Sequence, residues 1–189
     1  QSKCKNPKRV IIGHPFNPVY LLPLVEIVAG KIKSKKCIKR TENFYKSLSM
    51  IPLILKKEIP GYLSDRLQEA LWRESLHIIN SGFANTKDLD NAIVNGPGIR
   101  WSLMGTFLTF HLAGGKKGMK HMLEHFGPAL KLPWTKLKAP VLSKKLSKRI
   151  IYGTKKQSKG KSINKINNIR DEYIIALLKI RKKYEVLIN

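Results

Sequence analysis

The apolar residues of this chain follow two different periods, and the change between them at Pro60 and Gly61 constrains the fold more than any other feature. Before this point, three short runs rich in β-branched residues, at 9–14, 23–29 and 51–55, are typical of buried strands. Residues 35–48 carry apolar side chains at spacings that fit one helical face. This alternation of strands and a helix predicts an α/β unit whose beginning lies upstream of the sequence.

After Gly61 the apolar residues recur every three or four positions, which predicts helices through the rest of the chain. The first helix is predicted to end near Gly82, and Thr86 is predicted to cap a second helix that ends at Val94. Further helical patterns lie at 104–113, 118–130 and 163–187. We therefore expect an α/β domain at 1–57 and an all-α domain at 58–189.

The formal charge of +25 would ordinarily suggest a nucleic-acid or anionic-membrane partner. However, residues 61–130 contain seven basic and six acidic side chains, so the excess charge lies in the two ends of the chain. Aromatic residues do not alternate with the lysines, as a platform for stacked bases would require. We therefore expect no nucleic-acid partner, and a basic binding module without catalysis is kept as the alternative from another class.

The remaining composition favours a globular cytoplasmic protein. No apolar run reaches the roughly 20 residues that a membrane helix needs, and no apolar segment follows the polar first residues as in a signal peptide. Cys4 and Cys37 are the two cysteines, and their spacing matches no metal or redox motif. They are typical of free thiols in a reducing compartment.

A histidine and a glutamate in the first two predicted strands form the best candidate for chemistry. His14 ends the first strand, and Glu26 lies in the second, after a proline-rich loop. Oxidation of a hydroxyl by hydride transfer also releases a proton, and histidine is the side chain best suited to accept one near neutral pH. A carboxylate at the other ring nitrogen would fix the tautomer. On spacing alone, a structural histidine and a structural glutamate remain open as the alternative.

The string GHPFNPVYLLPLVEIV resembles the catalytic segment of the 3-hydroxyacyl-CoA dehydrogenase superfamily. Five further strings resemble, in the same order, the C-terminal domain of the branch that oxidises carnitine: KEIPGYLSDRLQEALWRESL, GPGIRWSLMGTFLTFHLAGG, GMKHMLEHFGPAL, LPWTKL and IRDEYIIALL. The resemblance covers nearly all of residues 9–180. It implies that residues 1–57 are the C-terminal remnant of a Rossmann-type NAD-binding domain and that the all-α domain binds substrate and forms a homodimer.

The resemblance also implies an activity and its residues. His14 and Glu26 would be the catalytic pair in NAD-dependent oxidation of the 3-hydroxyl of L-carnitine, and Asn17 of the same segment is assigned to cofactor binding. Most of the NAD-binding half is expected upstream, because no G-x-G-x-x-G follows a strand in this sequence. An L-gulonate 3-dehydrogenase and a 3-hydroxyacyl-CoA dehydrogenase remain the enzymatic alternatives, since both share the HPxNP-type segment.

Four residues are candidates for binding the substrate. Asp65 stands where the acyl-CoA branch typically has Asn, and a carboxylate there suits a cationic substrate; a surface ion pair with Arg66 is the open alternative. The trimethylammonium and carboxylate of carnitine call for aromatic faces and an arginine. Tyr20, Arg100 and Trp101 are chosen because they are expected in loops or at the start of an element.

One motif suggests a metal and is set aside. His121, Glu124 and His125 fit the H-x-x-E-H pattern of zinc peptidases. The next acidic residues, Asp171 and Glu172, lie far along the chain in the last predicted helix, so we expect no metal.

Overall fold

A computed structural model describes residues 1–102, 105–114, 118–135, 143–146, 148, 151–152, 159 and 161–184 of the chain. The chain divides into two compact units, Gln1–Glu69 and Ala70–Asn189. Among the described residues, no helix is long and apolar enough to span a membrane.

The first unit is a three-stranded sheet with one connecting helix. Strands β1 (Ile11–Pro15), β2 (Leu24–Ala29) and β3 (Ile51–Ile54) lie in this order, with β1 antiparallel and β3 parallel to β2. The central strand supplies the core of this unit, because every residue of β2 after Leu24 is buried. A strand with hydrogen-bonded neighbours on both sides fixes the position of any side chain that it carries.

Helix α1 (Lys35–Ser47) makes the parallel pairing of β2 and β3 possible. Ser34 begins it, because the extended Ser34 accepts a hydrogen bond from the amide of Cys37 at 3.3 Å. Just past its end, Ser49 adopts a left-handed φ of 59°, which turns the chain into β3. The predicted helix at 35–48 is therefore confirmed to within one residue.

The described part of the remaining chain is helical, as the change of period predicts. Its helices are α2 (Ser64–Ser81), α3 (Thr86–Val94), α4 (Pro97–Trp101), α5 (Thr106–Ala113), α6 (Gly118–Phe126) and α7 (Ile163–Tyr184), with a 3-10 helix at Gly127–Lys131. The unit boundary falls within α2, between Glu69 and Ala70. The predicted helix start at 104 and end at 187 lie outside the described residues.

Two local predictions are wrong. Asn85, and not Thr86, caps α3: the Asn85 side chain accepts from the amide of Asp88, whose carboxylate accepts from the amide of Asn85. Arg100 and Trp101, expected in a loop or at an element start, end the short helix α4. Pro97 begins this helix, because its fixed φ suits the first helical position.

Candidate active site

His14 and Glu26 face each other across the antiparallel pair of strands. The register pairs His14 of β1 directly with Glu26 of β2, so their side chains project from the same face of the sheet. Nδ1 of His14 lies 3.2 Å from Oε2 of Glu26. The two residues that the sequence proposed as a pair are therefore in hydrogen-bond contact.

The carboxylate of Glu26 is completely buried and bonded at both oxygens. Oε1 accepts from the backbone amides of Leu63 at 2.9 Å and Ser64 at 3.3 Å. Oε2 accepts from the hydroxyl of Ser64 at 2.7 Å and from His14. The donors of residues 63 and 64 lie at the beginning of α2, where the helix dipole also favours a negative charge.

The pKa of Glu26 results from two opposing effects. Burial, the largest single effect, would raise it, because a low-dielectric environment disfavours the charged carboxylate. The hydrogen bonds from Ser64, Leu63 and His14 together outweigh burial and hold the pKa of Glu26 below its ordinary value. Glu26 is therefore ionised at neutral pH. In this form it can accept a hydrogen bond from the imidazole but cannot donate one.

This ionisation assigns the tautomer of His14. Since an ionised Glu26 has no proton to donate, the hydrogen on the neutral imidazole belongs on Nδ1, and Nε2 carries the lone pair. Nε2 lies 3.5 Å from Oδ2 of Asp65, and the side chains of His14 and Asp65 are 26% and 49% exposed. The nitrogen able to accept a proton thus lies beside a second, half-exposed carboxylate.

The sequence did not indicate Tyr62 and Ser64 as part of this site. The Tyr62 ring stacks on the imidazole of His14, with centroids 3.9 Å apart and planes 7° from parallel. Ser64 provides both a hydroxyl and an amide to Glu26. The signal available was the string Pro-Gly-Tyr-Leu-Ser-Asp itself, because proline and glycine indicate a turn that redirects the residues after it.

The other predicted site residues are less closely associated. Asn17 and Tyr20 lie in the loop between β1 and β2, where Asn17 is exposed and Tyr20 is 72% exposed. Arg100 and Trp101 belong to the second unit. Of the residues predicted from the sequence, the structure brings together His14, Glu26 and Asp65, and the roles of all seven stay predictions.

Neither a metal centre nor a nucleotide-binding turn is present in the described ranges. They contain no cluster of three His, Cys, Asp or Glu side chains placed to hold a metal ion. On α6, the rings of His121 and His125 stack on each other, with centroids 5.3 Å apart. Residues 30–34, which join β2 to α1, contain one glycine instead of the glycine-rich turn that binds a dinucleotide diphosphate.

Both units match one family of dehydrogenases. Residues 1–59 match the NAD binding domain of 3-hydroxyacyl-CoA dehydrogenase, and residues 61–160 match the C-terminal domain of that enzyme. The chain therefore belongs to the 3-hydroxyacyl-CoA dehydrogenase family. The predicted fold class, an α/β remnant of a Rossmann-type domain followed by an all-α domain, is confirmed, and NAD is confirmed as the cofactor of the family domain that residues 1–59 match.

Within this family, the chain is similar to L-carnitine dehydrogenases. It is 54% identical over 184 residues to the enzyme of Bacillus cereus, covering 97% of this chain and 56% of that protein. It is 51% identical over 184 residues to the enzyme of Oceanobacillus iheyensis, covering 97% of this chain and 60% of that protein. The predicted resemblance is confirmed, and the chain spans somewhat more than half the length of these relatives.

A solved structure supports the fold. The crystal structure of 5-formyl-3-hydroxy-2-methylpyridine 4-carboxylic acid 5-dehydrogenase, an NAD+-dependent dismutase, aligns with a TM-score of 0.73 and 18% identity. The alignment covers 96% of this chain and 59% of that chain. At this identity, the likeness concerns the architecture alone.

Proposed function

We propose that this chain is the His14-bearing part of an enzyme that oxidises the 3-hydroxyl of L-carnitine to 3-dehydrocarnitine with NAD. The observation that carries the proposal is the contact between His14 and the buried, ionised Glu26, which leaves Nε2 of His14 as a proton acceptor. The similarity to L-carnitine dehydrogenases supports the choice of substrate.

The residues of this chain perform the proton transfer. In the proposed reaction, Nε2 of His14 accepts the hydroxyl proton, and the imidazole becomes an imidazolium. Glu26 keeps Nδ1–H directed toward itself and stabilises the positive charge, while the amides of residues 63 and 64 keep Glu26 ionised. Bound NAD would supply the hydride acceptor for the carbon that carries this hydroxyl. No glycine-rich diphosphate-binding turn follows a strand among the described residues, so Asn17 is the one proposed cofactor contact.

The second carboxylate supports a cationic substrate. Asp65 lies 3.5 Å from the proton-accepting nitrogen and is half exposed, so its charge acts on a molecule bound beside His14. Carnitine carries a trimethylammonium group, which a nearby carboxylate attracts. We assign Asp65, Tyr20, Arg100 and Trp101 to this substrate, with the two aromatic rings for the ammonium and Arg100 for the carboxylate.

The enzyme is further proposed to act in the cytoplasm as a homodimer, without membrane or nucleic-acid partners. In the second unit, large apolar side chains such as Phe107 and Leu112 are 85% and 59% exposed. Exposed apolar residues of this size are typical of surfaces that pair with another protein. A second copy of the chain is the occupant that the family resemblance implies.

Substrate profiling of the full-length protein tests this function. NADH formation is measured with L-carnitine, L-gulonate and a 3-hydroxyacyl-CoA, in the wild type and in His14→Gln. We expect preference for L-carnitine and loss of roughly 10³-fold or more in kcat for the variant. His125→Gln, the same change at an exposed histidine of α6, is the matched control and should retain activity.

Two results would contradict the proposal. Preferential oxidation of L-gulonate or the hydroxyacyl-CoA would assign the protein to one of the alternative activities. Absence of any dehydrogenase activity, together with steeply salt-dependent DNA binding, would support the basic binding module.

A further inference from the structure

Four consecutive residues after the Pro60–Gly61 turn all contact the His14–Glu26 pair. Tyr62 stacks on the imidazole, the amides of Leu63 and Ser64 bond to Glu26, and Asp65 lies beside Nε2 of His14. We call residues 62–65 the clamp segment. Three of its members act through hydrogen bonds or charge, whereas Tyr62 contacts the flat face of the histidine ring.

The contact made by Tyr62 restrains a motion that the hydrogen bond to Glu26 does not. A single bond at Nδ1 fixes one atom of the imidazole but still allows the ring to tilt about that atom. A ring held 3.9 Å away and within 7° of parallel opposes this tilt. The position of Nε2, on the opposite side of the imidazole, depends directly on the plane of the ring.

The backbone of Tyr62 adopts an uncommon conformation to make this contact. Gly61 and Tyr62 have φ values of 75° and 49°, so two successive residues are left-handed. Glycine accepts this region readily, but a bulky side chain there is uncommon and requires support from its surroundings. Here the amide of Tyr62 donates to the carbonyl of Ile59 at 3.2 Å, and the next two amides bind Glu26. The backbone at position 62 would suit a glycine better, so the aromatic ring stands there against the local backbone preference.

We propose that Tyr62 is a positioning residue, whose ring fixes the plane of His14 so that Nε2 points at the substrate hydroxyl. The electron-rich face of tyrosine also attracts the positive charge that the imidazole gains on accepting the proton. Its hydroxyl plays no part in this role, so phenylalanine should replace it. This inference rests on the proposed function in assigning the proton transfer to His14, and the stacked geometry carries it.

Two substitutions separate the ring from the backbone. Tyr62→Phe keeps the stacking surface, whereas Tyr62→Gly removes it and also relieves the left-handed φ, so that variant should fold at least as well as the wild type. We expect Tyr62→Gly to lower kcat about tenfold with KM changed by less than about twofold. Tyr62→Phe should retain kcat within about twofold. Thermal unfolding followed by circular dichroism checks that both variants fold.

NMR of the imidazole nitrogens of the full-length protein gives a readout independent of turnover. Hydrogen should stay on Nδ1 in the wild type, in Tyr62→Phe and in Tyr62→Gly, because Glu26 is intact in all three. NMR relaxation of the His14 ring signals should show a rigid ring in the wild type and in Tyr62→Phe, and increased ring motion in Tyr62→Gly. Signals that are absent from the spectrum of His14→Gln, which lacks this imidazole, are assigned to His14. An unchanged kcat and unchanged ring motion in Tyr62→Gly would overturn the inference, as would an equal loss of kcat in Tyr62→Phe. A wild type inactive toward L-carnitine would overturn the proposed function, while the NMR result would still decide the role of Tyr62.

Discussion

Replacement of Glu26 by glutamine tests the central feature of the site, since it keeps the shape of the side chain and removes one acceptor. The carboxylate accepts at both oxygens, from two backbone amides on Oε1 and from Ser64 and His14 on Oε2. The backbone amides cannot turn away, so the NH2 group of glutamine must face Ser64 and His14. Nδ1 of His14 must then accept a hydrogen bond, which moves the imidazole hydrogen to Nε2.

A histidine with hydrogen on Nε2 cannot accept the substrate proton there. We therefore expect Glu26→Gln to lower kcat by roughly 10³- to 10⁴-fold, as expected when a catalytic imidazole is held in the wrong tautomer. The lost charge-assisted bond to His14 is worth about 1.5–3 kcal/mol, and removal of a buried charge offsets part of this. The expected loss in the free energy of unfolding is thus about 1–2 kcal/mol at neutral pH.

The pH dependence gives the same prediction a second measurement. The pKa of Glu26 is lower in the folded protein than its ordinary value of 4.5, so its ionised form stabilises the fold above about pH 4.5. This contribution is lost as pH falls through the folded pKa. The difference in urea stability between wild type and Glu26→Gln should therefore shrink at acidic pH.

Glu42→Gln is the matched control for these experiments. Glu42 lies on α1, and its pKa is also lowered, first by Lys46 and then by Lys39, but it does not contact the His14–Glu26 pair. Its substitution should leave kcat unchanged. Retention of more than a tenth of wild-type kcat by Glu26→Gln, in a folded protein, would refute the tautomer assignment.

Three further predictions concern the substrate, the second unit and metal dependence. Asp65→Asn should raise KM for L-carnitine about tenfold and reduce its preference over a hydroxyacyl-CoA, because it removes the charge beside Nε2; steady-state kinetics with both substrates measures this. Asn85→Ala should lower the free energy of unfolding by about 1 kcal/mol through loss of the α3 cap, as measured by urea unfolding. Prolonged treatment with EDTA should leave kcat unchanged, because proton transfer is assigned to His14.

Each of these predictions has its own contrary result. An unchanged substrate ratio in Asp65→Asn would remove Asp65 from the substrate site. Thr86→Ala is the comparison for the cap: a larger loss there than in Asn85→Ala would return the cap to Thr86. Activity that is lost with EDTA and restored by a divalent metal would show that the proposed mechanism omits a required metal ion.

The sequence predicted those parts of the site that depend on local pattern. Short apolar runs around a proline-rich loop placed His14 and Glu26 on adjacent strands. Ser64 and Glu26 are 38 residues apart in the sequence. The spacing of apolar residues indicates helices and strands but not contacts between residues so far apart. Tyr62 was missed for the same reason.

The choice of cap on α3 shows another limit of local pattern. Asn85 and Thr86 are adjacent, and both residue types cap helices well. The difference is decided by the backbone, since Asn85 has the extended conformation and Asp88 stands at the right distance to return its hydrogen bond. Similarly, a proline such as Pro97 can end one helix or begin the next, and which of the two it does depends on the residues that follow.

The clamp segment has a consequence for the order in which this site assembles. Strands β1 and β2 form a local hairpin, so His14 and Glu26 can meet early in folding. Residues 63 and 64 follow α1 and β3 in the sequence, so their amides can reach Glu26 only after these elements have brought the chain back to β2. If the structure opens locally and these two hydrogen bonds break, the Glu26 carboxylate becomes either hydrated or protonated. Slow hydrogen exchange at the amides of Leu63 and Ser64 would therefore show that both donors stay bonded to the Glu26 carboxylate for most of the time.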